Sequence, residues 1–453
     1  MGKRSTDTIV IGTGAGFSAD RLEPACAMAR SGEVDFLVFE CVGERTLAHG
    51  HRDRMHDASA GYNKLIGPRF RAVLPLARAT STRIITNMGS ANPAGAAHAT
   101  AKTAAGCGLS GLHIAYVEGD DITSQVTRDW ELPELGRTIG ELGHTVVGAN
   151  AYLGVEHLLP AVASGADVII TGRFADPSLF MAPIVDRFGW ALDDWDRLAK
   201  GTVAGHLLEC GMQVTGGYFA DPPYKTVPDL ARCGYPMAEI SKHGDVVVTK
   251  LATDGGAVTR QTVKEQLLYE VHDPSRYLTP DVTANFSGAR IDDMGANRVR
   301  VDGIRGAKRP DTLKVTIGFD GGLQGEAGVS YAGPGAASRA SLARDILHER
   351  LTQILKLEGQ LRIDLIGVAS LHATAGADAR RNRAGSEDVR VHVAFASHDR
   401  TAVETVLWEV ESLLCCGPAG GGGYRGQIVP RVITHSAFVP RSMIDVKTRF
   451  IET

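Results

Sequence analysis

Short apolar runs that end in glycine or amide residues, each followed by a helical pattern, constrain this chain more than any other feature. Thr8-Ile9-Val10-Ile11 is closed by Gly12-Thr13-Gly14-Ala15-Gly16-Phe17, and Leu22, Ala25, Cys26 and Ala29 then recur at helical spacing. Asp35-Phe36-Leu37-Val38-Phe39 is the next apolar run, so the opening reads as strand, glycine turn, helix, strand. Strand patterns return at 83–86, 112–117, 145–149 and 167–171, with helical patterns at 94–107 and 155–164 between them. Strands alternating with helices predict an α/β domain, a mostly parallel sheet with flanking helices. This pattern alone does not separate an open sheet from a closed barrel.

The order changes in the last third. Strands are expected at 313–317, 361–368, 389–396 and 427–436, and helices at 338–357 and 399–416, the second capped by Asp399. That β-α-β-β-α-β order predicts a smaller, ferredoxin-like α+β domain. The expected division is an α/β domain over 1–300 and the α+β domain over 301–453. The polar stretch 376–388, with Arg380, Arg381 and Arg383, reads as an exposed loop.

Composition narrows the function classes. Lys plus Arg is 48 against 52 Asp plus Glu, a net charge of −4, which argues against a nucleic-acid binder because such binding rests on neutralising phosphates. No apolar run approaches the ~18 residues that a membrane span needs. The start, MGKRSTDT, has no apolar leader core, and the seven cysteines are odd in number and scattered, so reduced thiols in a cytoplasm are expected. The 53 glycines exceed the usual ~7% share and signal close backbone approaches.

In a parallel α/β sheet the residues just past strand carboxyl ends face the ligand crevice. Glu40 follows the second strand as a candidate acid/base, with Glu44 paired to Arg45 as a salt bridge or Arg45 facing a substrate carboxylate. Asn87 follows the third strand, and Asn150 a later one; amides suit carbonyl polarisation, since they do not titrate. Asn92 before Pro93 reads as a helix cap. Arg173 and Asp176 follow a further strand, Arg173 as a substrate anchor and Asp176 as a catalytic group. His206 and Glu209 share a helical face, which suits a general base oriented by a carboxylate. Gly12, Gly14 and Gly16 either cradle a phosphate or carboxylate or permit tight packing; Phe17 replaces the third glycine of a dinucleotide fingerprint. Lys250 to Gly256 and the glycine-rich run before Arg425 are further anion candidates. His206 with Glu209 and Cys210 resembles half a metal site that needs two more ligands, and His49, His51 and His56 form another possible metal cluster, but with no spaced Cys pair no metal is assigned.

The stretches 16–44, 87–93, 148–154, 171–183, 204–217, 250–277 and 417–425 resemble the acyclic terpene utilisation (AtuA-like) family, formerly a domain of unknown function. Gly-Arg-Phe-Ala-Asp-Pro-Ser at 172–178 and Gly-His-Leu-Leu-Glu-Cys at 205–210 are the most specific segments. The resemblance covers nearly the whole chain, although 49–51 departs from the expected pattern. It implies a cytoplasmic catabolic enzyme, some members belonging to routes that degrade citronellol or geraniol through acyl-CoA intermediates. No cofactor is implied with certainty, and a coenzyme A thioester enters as a substrate.

Together these features predict a lyase or hydratase acting next to a carbonyl on a branched acyl-CoA or carboxylic acid. Glu40 or His206 would be the base and Asn87 and Asn150 the oxyanion donors. The alternatives are a non-catalytic binding or assembly subunit of an acyl-CoA carboxylase-type complex and, on the glycine loop alone, a nicotinamide-dependent oxidoreductase. The expected partners are a small-molecule substrate and a second copy of the chain, by default a dimer, with no nucleic acid and no membrane.

Overall fold

The first apolar run becomes strand β1 (Thr8–Ala15), which continues through Gly12 and Gly14. The computed structural model of the chain describes residues 7–371 and 388–453. β2 (Phe36–Phe39), β3 (Arg83–Thr86), β4 (His113–Glu118) and β6 (Val168–Thr171) share a sheet with β1, while β5 (Val146–Ala151) lies outside that sheet. Further strands are β7 (Pro236–Ser241), β8 (Val246–Lys250), β9 (Arg290–Asp293) and β10 (Val299–Asp302). The main sheet has ten strands in the order β9-β10-β8-β7-β1-β2-β3-β6-β4, completed by the strand Lys447–Glu452. The path has two free ends, so the sheet is open.

The expectation of a mostly parallel sheet holds for its centre. β1, β2, β3, β6 and β4 are parallel neighbours. Both flanks are antiparallel: β7 to β10 on one side and Lys447–Glu452 on the other. The sheet is therefore mixed. β7–β8 and β9–β10 are joined by short connections, which cannot carry a parallel crossover and so make those pairs antiparallel. The last strand escapes sequence reading because Lys-Thr-Arg-Phe-Ile-Glu has no apolar run, as befits a sheet edge.

Helices cover the parallel centre. They include α1 (Glu23–Ser31), α2 (Glu44–His56), α3 (Ile66–Thr80) and α4 (Pro93–Gly106). Asn92 caps α4, its Oδ1 accepting from Gly95 N at 2.9 Å, as the Asn-Pro spacing predicts. Met28, Leu37, Phe39, Phe70, Ile84 and Ile170 share one buried cluster, in which Phe39 and Phe70 meet edge to face at 6.0 Å. Any Cβ on Gly14 would stand 2.5 Å from the Phe39 ring. These glycines let the first strand lie close to its neighbours.

Two helices from the same unit bear on function: α5 (Asp176–Phe188) and α6 (Trp195–Glu209). A Cβ at Gly201 would lie 2.8 Å from Met181 Cγ, and one at Gly205 2.6 Å from Pro177 Cα. The two glycines are four residues apart, hence on one helical face, and they let α6 lie against α5 at backbone distance. Among the described residues no helix is long and apolar enough to cross a membrane.

The chain divides into two units, 7–318 with 434–453, and 319–433. The smaller unit contains most of β11 (Thr312–Ala332), then α7 (Ala336–Glu349), β12 (Gln360–Ile366), β13 (Asp388–Ser397), α8 (Arg400–Cys416) and the first part of β14 (Gly422–Pro440). Its strands lie in the order β12-β13-β11-β14, and β13 is antiparallel to both neighbours. Val329, Tyr331, Leu347, Val391, Phe395, Val406 and Val410 fill its core. Alternate residues of β13 are buried, the period-two signature of a sheet with one covered face. Asp399 caps α8 as expected, accepting from Thr401 N at 2.9 Å. Of the polar stretch at 376–388, residues 376–387 lie outside the described residues.

Candidate active site

The larger unit contains a cavity of about 770 Å³, lined by side chains that arrive on five different elements. Glu44 comes from the first turn of α2, Tyr152 from just past β5, Arg173 from just past β6, Asp176 from the first turn of α5, and His206 and Glu209 from the last turn of α6. Lys314 of β11, Glu270 and Tyr277 complete the polar lining, and Leu278, Leu313 and Phe438 contribute apolar surface.

Local sequence explains why these groups meet. Arg173 and Asp176 flank a Phe-Ala step where β6 gives way to α5, and Pro177 starts the helix where its missing N–H costs nothing. Arg173 Nη1 donates to Asp176 Oδ1 at 2.8 Å and to the Val42 carbonyl, and its guanidinium lies 4.0 Å over the Tyr152 ring. Tyr152 in turn donates its hydroxyl to Glu44, which also takes Lys314 Nζ at 3.3 Å. On α6, the i, i+3 spacing brings His206 Nδ1 to 2.8 Å from Glu209 Oε1. The His206 ring packs at 5.3 Å from Tyr277 and 6.0 Å from Phe286.

The electrostatics separate these groups. Burial holds His206 well below the usual imidazole range, at about 4, so it is neutral at pH 7. Burial, reinforced by the fields of Asp176 and Glu270, pushes the Glu209 carboxyl up. Burial likewise raises Asp176 despite the Arg173 guanidinium beside it. Glu44 goes the other way: burial works against its charge, but Arg173, the Tyr152 hydroxyl and Lys314 outweigh that and hold it at about 2. One cavity thus has a neutral imidazole, carboxyls that favour the protonated form, and a carboxylate that stays ionised.

Three buried polar atoms of these residues have no hydrogen-bond partner: Arg173 Nε, His206 Nε2 and Glu209 Oε2. Buried polar atoms are nearly always paired, so three orphans among residues lining one cavity are the strongest sign of a ligand site in the chain.

The sequence candidates divide into three groups. Arg173, Asp176 and His206 line the cavity. Glu40, Asn87 and Asn150 stand behind it. Glu40 Oε1 accepts from Val42 N at 2.9 Å and from Asn87 Nδ2 at 2.8 Å, while Asn87 Oδ1 takes Cys41 N at 2.7 Å. Burial and then the field of Asp176 raise the Glu40 carboxyl, so it shares the electrostatics of the site. Asn150 donates to Asp120 Oδ2 at 2.8 Å, the same oxygen that accepts Arg173 N at 2.7 Å, and its own Oδ1 lies 2.5 Å from His51 Nε2. Both amides are thus committed to protein partners.

Arg45 is exposed and does not line the cavity, and Glu44 bonds to Tyr152 and Lys314 instead. Gly12 and Gly14 lie inside β1. A Cβ on Gly16 would sit 2.5 Å from Glu209 O and 2.3 Å from Gly211 N, so this glycine fits the end of α6 against β1. Thr13 reinforces that join by donating to Leu208 O at 2.9 Å. The three glycines pack rather than cradle, and Gly16 seats the turn that carries His206 and Glu209. Lys250 Nζ bonds the carbonyls of Leu251 and Asp254 and so pins its own turn. Arg425 belongs to the smaller unit, where it lines a hollow with Glu326, Arg390 and His392. Among the described residues no group of three or more His, Cys, Asp or Glu side chains could hold a metal ion.

Sequence reasoning gave no site role to Tyr152, Tyr277, Lys314 or Asp120. Tyr152 follows Asn150 at a strand end, a usable signal; Lys314 lies within an apolar run, where nothing marks it. Comparison with known proteins adds one positive result, a match of residues 9–450 to the acyclic terpene utilisation family protein AtuA. No curated protein and no solved structure matches the chain. With nearly its full length matched, the chain belongs to the AtuA family.

Proposed function

We propose that this protein is a catabolic enzyme, a lyase or hydratase that moves protons next to a carbonyl on a branched acyl-CoA or carboxylic acid. The convergence of Arg173 Nε, His206 Nε2 and Glu209 Oε2, all buried and unpartnered, on one cavity carries this reading. Neutral His206, oriented through Nδ1 by Glu209, takes a proton at Nε2 from carbon or water. Asp176 or Glu209, both raised toward the protonated form, hydrogen-bonds the developing oxyanion or protonates a departing hydroxyl. Groups pushed toward opposite protonation states in one site divide the acid and base roles. Arg173, stacked on Tyr152, orients Asp176, and Glu40 supports it from behind. A cavity of about 770 Å³ suits a branched acyl group with part of a carrier. The strand order of the smaller unit supports a ferredoxin-like reading of that part.

The test is turnover and solvent-deuterium exchange with a panel of saturated and unsaturated branched acyl-CoA thioesters and the matching acids. Mass spectrometry would follow exchange at carbons beside the carbonyl. The expected result is exchange or hydration of at least one member, lost ~100-fold or more in His206→Gln with the fold retained. Inertness of the whole panel, or a fully active His206→Gln, would refute the reading.

A further inference from the structure

We infer that the buried end of this cavity receives a neutral oxygen function, a hydroxyl or an ester-type carbonyl, and excludes a free carboxylate. The inference rests on the proposed active site and narrows its substrate class. Arg173 at that end is buried and Lys314 beside it is partly exposed, and both are engaged, Arg173 keeping its Nε unpartnered. Arg173 binds Asp176 and the Val42 carbonyl and stacks on Tyr152. Lys314 binds Glu44 and lies 4.7 Å over the opposite partner of that stack, the same Tyr152 ring.

Against these two cations stand Glu44, Asp176, Glu209 and the exposed Glu270 in the lining, with Glu40 behind. A substrate carboxylate would meet the same burial that, with neighbouring carboxylates as the lesser cause, raises Glu40, Asp176 and Glu209. A penalty of that kind sets specificity as firmly as attraction does. The remaining lining cations, Arg276 and Lys308, are exposed, and Lys308 is paired with Asp311 at 2.8 Å.

The unpartnered atoms give the positive half of the argument. Arg173 Nε can only donate, Glu209 Oε2 accepts or donates with its proton, and His206 Nε2 does either according to which ring nitrogen carries hydrogen. A hydroxyl, donor and acceptor at once, satisfies such a mixed set; a carbonyl oxygen satisfies its donors. A carboxylate accepts only, and leaves any acceptor in the set opposed by charge. Sites built to bond a neutral polar group reject analogues that cannot complete the pattern.

A matched series isolates the head group: 4-methylpentan-1-ol, 4-methylpentanamide and 4-methylpentanoate, titrated at pH 7.5 into full-length protein labelled at histidine 13Cε1. The His206 signal is assigned by its loss in His206→Gln. The alcohol and amide are expected to shift it, with dissociation constants at least ~10-fold below that of the carboxylate. Carboxylate binding as tight as that of the neutral pair, read at the same signal, overturns this inference and leaves the active-site reading standing. If no probe moves His206, the active-site reading falls and takes the inference with it. Asp176→Asn provides the second measurement: freeing Arg173 should improve the carboxylate ~10-fold relative to the alcohol. An unchanged ratio in a variant with wild-type circular dichroism overturns the role given to Asp176. Should that variant not fold, the wild-type series alone decides.

Discussion

Asp281 and Glu209 are both buried carboxyls, and burial raises both, Asp281 to about 6. Their bonding differs completely. Asp281 Oδ1 accepts from Val155 N at 2.7 Å and Oδ2 from Ser178 Oγ at 2.5 Å, so each oxygen is used and the group fastens the turn after β5 to the first turn of α5. Glu209 has one oxygen on His206 and the other on nothing. A saturated buried acid holds structure together; a half-saturated one keeps capacity for something not made of protein. Burial and shifted acidity alone would not have told the two apart.

This contrast yields ordered predictions. Asp281→Ala strands the Val155 amide and the Ser178 hydroxyl and should cost about 3–5 kcal/mol in urea unfolding. A loss below ~1 kcal/mol would mean Asp281 is no fastener. Glu209→Gln should instead lower turnover on the proposed substrates about 100-fold, with stability changed by less than ~1 kcal/mol. A large stability loss there would erase the distinction.

Two pH effects follow, each smaller. His206 has a folded value near 4 against the ordinary 6.5, so between those values the unfolded chain binds the extra proton. Its contribution is therefore present above pH 6.5 and lost as pH falls toward 4. About 3 kcal/mol of acid sensitivity in that window should disappear in His206→Gln. Glu44 is depressed to about 2 from 4.5, so its contribution is present above 4.5 and lost as pH falls through 2. Its side chain is 41% exposed and screened by water, so Glu44→Gln should cost only about 1 kcal/mol at pH 7, the gap to wild type closing on acidification. Denaturant melts across pH check both.

Much of the fold can be read from the sequence, because the strands at the sheet centre are apolar on both faces and their ends are polar. Phe36–Phe39 is buried throughout, Asn87 and Arg173 do follow strands, and Asn150 lies near the end of one, inside Val146–Ala151. The pair His206–Glu209 was legible from i, i+3 spacing alone. What spacing cannot report is depth. Asn87 and Asn150 end strands as Arg173 does, yet their amides turn inward onto Glu40 and Asp120, a choice made by neighbours distant in sequence. Lys314 and Tyr277 reach the cavity from segments whose local pattern has no mark of it. The glycines at 12, 14 and 16 mislead for a related reason: absence of a side chain serves an approaching ligand and an approaching backbone equally well, and only the partner, here Phe39 or the end of α6, discriminates.

The last strand has a bearing on synthesis. Arg449 reaches back to Glu118 at 3.0 Å across 331 residues of sequence, and the strand around it seals the outer edge of β4. Chains emerge from the ribosome at ~5–20 residues per second, so that edge stays uncovered for tens of seconds while everything between is translated. During that interval the nascent sheet presents unpaired amides to any passing strand, so the newborn chain is expected to rely on holding chaperones. Slower decoding of the intervening residues should lower soluble yield even though the finished protein is unaltered.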